Sequence, residues 1–282
     1  GLTRLSERLA AHPHVMAVAE PTSMTWLGLH VALQEAGCDL ALVGTRHAAR
    51  LRGAISGKNK SDVIDADVLA MAGDVFTLSP LRPPTPPQLA LRRAVVRRGK
   101  LVIDGNRSRR RLISLARWAF PDVWEEFAGS WPTAVAVLTR WPDLTALASA
   151  RRSSVTNVVA AHTRGVPDVD ARAERIRTAA GRTAAFWQGH LDLQALAWET
   201  SEHLRDIALA AEQIERATTQ AHHYWAALYG DDPLLLSVPG MGPMTAPTIR
   251  AFFADASAFP SAKAAAAYVG LTPSTWSSGT VV

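Results

Sequence analysis

His14-Val15-Met16-Ala17-Val18-Ala19-Glu20 is a short apolar run that ends in an acid, and it reads as a buried strand. Residues 25–36 continue with amphipathic helical spacing, and Gly37 stands where a helix is expected to stop. Asp39-Leu40-Ala41-Leu42-Val43-Gly44 is a second apolar run of strand length. Strand, helix and strand within about 30 residues define a βαβ unit with a parallel pair and a right-handed crossover. The start of the chain is therefore expected to be α/β. Residues 2–9 upstream have helical spacing, and a short helix is expected downstream over residues 47–55.

In open α/β sheets, ligands bind at the carboxyl ends of the strands, and Glu20 stands at such an end. A second acidic feature follows in Lys58-Asn59-Lys60-Ser61-Asp62-Val63-Ile64-Asp65-Ala66. Ser61 is placed to cap a helix expected to run to Met71. Asp62 and Asp65 are then three apart on one helical face, with Cβ atoms about 5–6 Å apart. Two readings stand. The pair stabilises the positive end of a helix dipole, or, with Glu20, it forms a three-carboxylate cluster for a divalent cation. Mg²⁺ takes one or two protein carboxylates together with phosphate oxygens and water, and paired metals clamp both oxygens of a phosphoryl transfer. Lys58 and Lys60 beside the pair would steer phosphate or belong to an ordinary polar loop.

The run Leu81-Arg82-Pro83-Pro84-Thr85-Pro86-Pro87 is expected to be a stiff non-helical connector. A long helix is expected to begin near Gln88. It carries Arg92, Arg93, Arg97, Arg98, Lys100, Arg107, Arg109, Arg110 and Arg111 against a single acid, Asp104. Charge of one sign at that density repels itself unless an anion screens it, which points to nucleic-acid phosphate or to a solvated basic face. The aromatic-rich patch that follows, Trp118, Phe120, Trp124, Phe127 and Trp131, reads as core in preference to a base-stacking platform. Residues 132–190 are weakly patterned and helical, and no site is assigned in them. From Leu193 to Leu228, apolar and small residues recur in steps of four and three, the coiled-coil period. Its partner helix lies in the same chain or in a second copy. Pro239-Gly240-Met241-Gly242-Pro243 is a glycine-rich turn opening a helix. Gly240 and Gly242 would let backbone N–H groups meet a phosphate, as in helix-hairpin-helix modules, or simply join two helices. The chain closes on a polar loop in which Ser277 and Ser278 are candidate nucleophiles if a base or metal activates them.

With 282 residues, the chain is long enough for about two domains, and 48% hydrophobic content is that of a protein with a proper core. A formal charge of +5 is compatible with a polyanionic partner. A single cysteine, Cys38, excludes an internal disulfide and a cysteine-rich zinc site. No apolar run reaches the ~18 residues of a membrane span, and no signal peptide is visible. Both ends are expected to be cut, since the chain opens on Gly1 without an initiator Met and ends on Val281-Val282.

In order, Glu20-Pro21-Thr22 with Trp26, Lys60-Ser61-Asp62-Val63-Ile64-Asp65-Ala66, Pro239-Gly240-Met241-Gly242-Pro243, and Gly270-Leu271-Thr272-Pro273 followed by Ser277-Ser278-Gly279 resemble one family. It is the "IS one-ten" family of bacterial insertion-sequence transposases, serine recombinases with a DEDD acidic site guided by a bridge RNA. The resemblance implies an α/β ribonuclease-H-like (RuvC-type) N-terminal domain, truncated, then a mostly α region with a long coiled coil and a helical transposase domain. The expected parts are residues 1–82, 83–190, 191–230 and 231–282. By the same resemblance, Glu20, Asp62 and Asp65 are three of four metal-binding carboxylates, the first acid lying before Gly1. Ser278, or its neighbour Ser277, is the nucleophile, and Mg²⁺ or Mn²⁺ is the cofactor. Ser23-Met24 departs from the family's usual glycine and aromatic. The implied partners are DNA, a guide RNA and further copies of the chain, without a membrane, and the implied location is the bacterial cytoplasm at the nucleoid. Two alternatives are a metal-dependent junction nuclease using carboxylates only, and an inactive nucleic-acid-binding fragment.

Overall fold

The computed structural model describes residues 2–9, 15–56, 61–163, 168–253, 257 and 259–271. They form two compact units, residues 1–85 and 86–282, and the break between them falls within the proline-rich connector.

The first unit contains helix α1 (Leu2–Leu9), strand β1 (Met16–Ala19), helix α2 (Thr25–Glu35), strand β2 (Asp39–Leu42), and helices α3 (Thr45–Ser56) and α4 (Asp62–Val75). β1 and β2 pair in parallel, with Met16 opposite Asp39 and Ala19 opposite Leu42. Side chains alternate across a strand, and the two faces of this pair bury different helices. Ala17, Ala19, Leu40 and Leu42 join Trp26 and Leu33 of α2 in one cluster. Val18 and Val43 face the other way, onto Ala48 of α3 and Leu69 and Ala72 of α4. Gly37 takes φ +71°, the left-handed conformation that ends α2 without a steric penalty. Among the described residues the sheet has two strands. After α4 the chain returns to the sheet, where the Leu81 N–H donates to the Leu40 carbonyl at 2.6 Å.

In the second unit every described element is helical. α5 (Pro86–Ala119) runs for 34 residues, followed by α6 (Pro121–Glu126), α7 (Trp131–Arg140), α8 (Leu144–Ser149), α9 (Arg152–His162) and α10 (Val169–Trp187). α11 (Leu193–Tyr229) spans 37 residues, and α12 (Pro233–Leu236), α13 (Thr245–Phe252) and α14 (Ala262–Tyr268) complete the unit. α5 starts two residues before the expected Gln88, within the proline run, because the first helical turn has no use for the N–H that proline lacks.

α5 and α11 lie antiparallel. Leu91 and Val95 share a cluster with Ala221 and Trp225, Arg98 Nε donates to Thr218 Oγ1 at 2.9 Å, and Gly105 faces Ala210. Numbers rise on one helix as they fall on the other. The four-three seam of α11 therefore finds its partner in the same chain. At Gly105 a Cβ would stand 3.2 Å from that of Ala210, so the absence of a side chain there permits the close approach. The largest cluster lies between the carboxyl half of α5 and helices α6–α11, with Leu112, Phe120, Phe127, Leu138, Leu147 and Ile176 fully buried.

Candidate functional site

The first unit brings two of the sequence-predicted acids to one place. Glu20 follows β1 directly, at the carboxyl end of the strand. Asp65 sits in the first turn of α4, whose start is fixed by Ser61, the Oγ of which accepts from the Ile64 N–H at 3.2 Å. α4 packs across β1, with Gly73 against Val18. Proceeding back along α4 from Gly73 leads to its N-terminal turn near the strand end. Arg52, from α3, lies between the two carboxylates. Its Nε is 2.6 Å from Asp65 Oδ1 and its Nη2 is 3.7 Å from Glu20 Oε1. All three side chains are about three-quarters shielded, with 22% of Arg52, 24% of Glu20 and 27% of Asp65 exposed.

Asp62, one turn earlier, is exposed and takes no part in this ion-pair group. Among the described residues no three acidic, histidine or cysteine side chains form a ready metal cage. Lys58, Lys60, Ser277 and Ser278 lie outside the described residues. Arg52 was not foreseen from the sequence. It is one of several arginines on a short helix, and only the packing of α3 on α4 distinguishes it.

The eight α5 arginines singled out in the sequence divide into two groups. Arg92 lies over the Phe252 ring at 4.9 Å, Arg109 over Trp131 at 4.4 Å, and Arg98 bonds Thr218, so these three are engaged within the unit. Arg93, Arg97, Arg107, Arg110 and Arg111 are exposed. Arg107 pairs with Asp104 at 2.9 Å, while Arg97 shares an open cleft with Gln213 and Arg216 of α11. Together with Lys100 they make one outward stripe at helical spacing.

The glycine-rich turn lies between α12 and α13. Gly240 takes φ +86°, and a Cβ on Gly240 or Gly242 would meet nothing within 4 Å, so the backbone there is open to an approaching group. Several contacts hold the turn. The Met241 N–H donates to the Val238 carbonyl at 3.0 Å and the Ala246 N–H to the Gly242 carbonyl at 3.1 Å. His222 Nε2 lies 2.7 Å from the Pro243 carbonyl oxygen. Beneath it, Arg250 of α13 grips buried Asp232 with two hydrogen bonds, 2.7 and 2.8 Å, and lies over the Tyr229 ring at 4.7 Å. Trp225 Nε1 donates to the same carboxylate at 3.3 Å. The Arg250 hydrogen bonds hold the Asp232 carboxyl below the usual carboxylate range, against the opposing effect of burial.

Residues 1–121 match the DEDD transposase family of the IS110 type, and residues 232–282 match the family described as Transposase IS116/IS110/IS902. No curated protein and no solved structure matches the chain. The first match takes in the α/β unit and the start of the helical unit, the second takes in the glycine-rich turn, and both describe a transposase, a DNA-processing enzyme. The chain belongs to the IS110 family of insertion-sequence transposases.

Proposed function

We propose that the chain is the cutting and joining component of DNA strand exchange, with Glu20, Asp62 and Asp65 holding a divalent cation and a serine of the Ser277-Ser278 pair as nucleophile. The observation that carries the reading is the convergence of Glu20 and Asp65, from a strand end and a helix start, on a single positive group. The donor set fits Mg²⁺ or Mn²⁺, since it is carboxylate oxygen without thiolate or imidazole. The position between the acids already attracts positive charge, the Arg52 guanidinium. Such an ion, when bound, would supply Lewis-acid polarisation of the scissile phosphate.

The residues of the chain do the rest. Ser278, with Ser277 as its alternative, gives up its hydroxyl proton and its Oγ bonds to phosphorus. The bond to the leaving strand breaks, and that strand departs as a free hydroxyl. Return of a strand hydroxyl reverses these steps and completes the exchange. The exposed arginines of α5, Lys58 and Lys60, and the open turn at Gly240 and Gly242 would hold the phosphate backbone. A dimeric or higher assembly belongs to the same proposal, because the acids and the serine are far apart in sequence, and a guide RNA belongs to it through the family resemblance.

The test is an assay for a covalent protein–DNA adduct in Mg²⁺. An adduct that disappears in the Ser277→Ala, Ser278→Ala double variant supports the reading. Cleavage that survives in that variant without an adduct makes the protein a carboxylate-only nuclease. Salt-sensitive binding without any cleavage makes it a nucleic-acid-binding fragment.

A further inference from the structure

The aromatic residues from Trp118 onward do not all enter the core. Phe120 and Phe127 are buried, and Trp124 and Trp131 pack against them. Trp118, however, is 52% exposed and Phe186, at the end of α10, is 70% exposed. Both meet Trp187. The Trp118–Trp187 centroids are 6.3 Å apart at 82°, and those of Phe186 and Trp187 are 4.9 Å apart at 78°. Trp187 is fixed by its Nε1–H, which donates to the Ala119 carbonyl at 2.7 Å. The rings meet edge to face, so none stacks on another, and flat faces are left for a further planar group. They line an open cleft of about 350 Å³ with Arg182 and Asp122. Arg182 is 65% exposed and faces Asp122 across 3.7 Å, so the one acid in the cleft has a cation beside it.

The position of Trp118 on α5 indicates the occupant. Arg107, Arg111, Ser114 and Trp118 follow one another in steps of four, three and four, all exposed on one face. At 1.5 Å per residue, Arg111 and Trp118 are separated by about 10 Å along the helix, close enough for one strand to meet the charge and the ring together. Cations leading to an exposed ring are the composition of a single-strand platform, where phosphates track the charge and a base stacks at the end. A protein partner would be expected to choose a patch depleted of charge.

We propose that Trp118 and Phe186 form a stacking site for an unpaired nucleobase, belonging to a strand whose backbone runs along the basic face of α5. The proposal rests on the reading of α5 as a nucleic-acid face. A short single-stranded oligonucleotide carrying 2-aminopurine, in DNA and RNA versions, is titrated into the whole chain and its fluorescence is followed at several salt concentrations. Binding to the wild type quenches the probe. Trp118→Ala and Phe186→Ala, both at exposed positions, weaken binding by about 5- to 150-fold for each lost stack and relieve the quenching. Trp118→Phe retains most of both. The salt slope is unchanged in Trp118→Ala, since no phosphate contact is lost, whereas Arg110→Gln with Arg111→Gln lowers it by about 0.7 per contact and keeps the quenching. A blunt duplex binds wild type and Trp118→Ala alike.

Unaltered affinity and quenching in both aromatic variants overturn the stacking site. So does a change in light-scattering mass with oligonucleotide binding intact, which makes the rings a contact between copies. If the arginine pair leaves the slope unchanged while Trp118→Ala abolishes quenching, the reading of α5 fails and the stacking site stands. No binding by the wild type ends both.

Discussion

Arg52 raises the sharpest question at the scale of single residues, because it stands where a divalent cation would be held. A guanidinium between Glu20 and Asp65 offsets the repulsion of the two carboxylates, since opposite charges attract more strongly where they are partly shielded from water. It also competes with any ion for the same oxygens. Arg52→Gln is therefore expected to bind Mn²⁺ more tightly than the wild type, with free Mn²⁺ followed by electron paramagnetic resonance. Weaker binding would make Arg52 a support and not a competitor. Asp232 gives a second residue-level prediction. Asp232→Asn keeps the shape of a residue at φ +40° and an oxygen for Trp225, and removes the charge facing Arg250. It is expected to cost about 2–3 kcal/mol, measured by urea unfolding. The carboxyl titrates below its unfolded value of about 3.9, so the wild type has this stabilisation fully above that pH. It loses it as pH falls through the folded value, while the asparagine variant has none to lose. The Asp62–Asp65 spacing was readable in the sequence, because helical periodicity is local. Which of the two would meet Glu20, and through which cation, was not, because the answer comes from the packing of α3 on α4.

At the scale of elements, α5 and α11 determine the second unit. Their apolar and small residues were visible separately, as an apolar side on one helix and a four-three seam on the other. Their pairing was not, since a seam of that period serves a neighbour in the same chain or in a second copy equally well. Gly105 is where the pairing becomes specific. Gly105→Leu places a branched side chain into a gap that already admits a Cβ only at 3.2 Å from Ala210. It is expected to destabilise the unit by about 1–3 kcal/mol by overpacking, read as a lower urea midpoint with an unchanged slope. The expectation for Trp118 failed for a reason that also belongs to this scale. Residues within a short aromatic stretch were treated as one patch, but α5 carries Trp118 on its outer face and ends at Ala119, and only the residues after the helix turn inward. The helical phase of α5, not composition, separates Trp118 from Phe120.

For the whole molecule, the apolar clusters predict how it comes apart. Among the described residues, two clusters lie within residues 1–85 and two within residues 86–282. A unit with its own core is a cooperative unit, so calorimetry is expected to resolve two transitions instead of one. Substitutions in separate units then act on separate transitions. Ser61→Ala removes the cap of α4 and costs about 1 kcal/mol, which lowers the transition of the smaller unit by about 4–8 °C. Asp232→Asn lowers the transition of the larger unit by a similar amount, because each kcal/mol moves a larger domain by only about 2–4 °C. The double variant is expected to show both shifts at their single-variant sizes, since distant sites without shared partners add. If either substitution moves both transitions, or the chain melts in one step whose midpoint follows each change, the two cores are coupled and a single cooperative molecule replaces the two-unit description. The same measurement repeated with Mn²⁺ locates the ion. A cation held by Glu20 and Asp65 raises only the transition that Ser61→Ala lowers, because a ligand stabilises the unit whose folded form it binds.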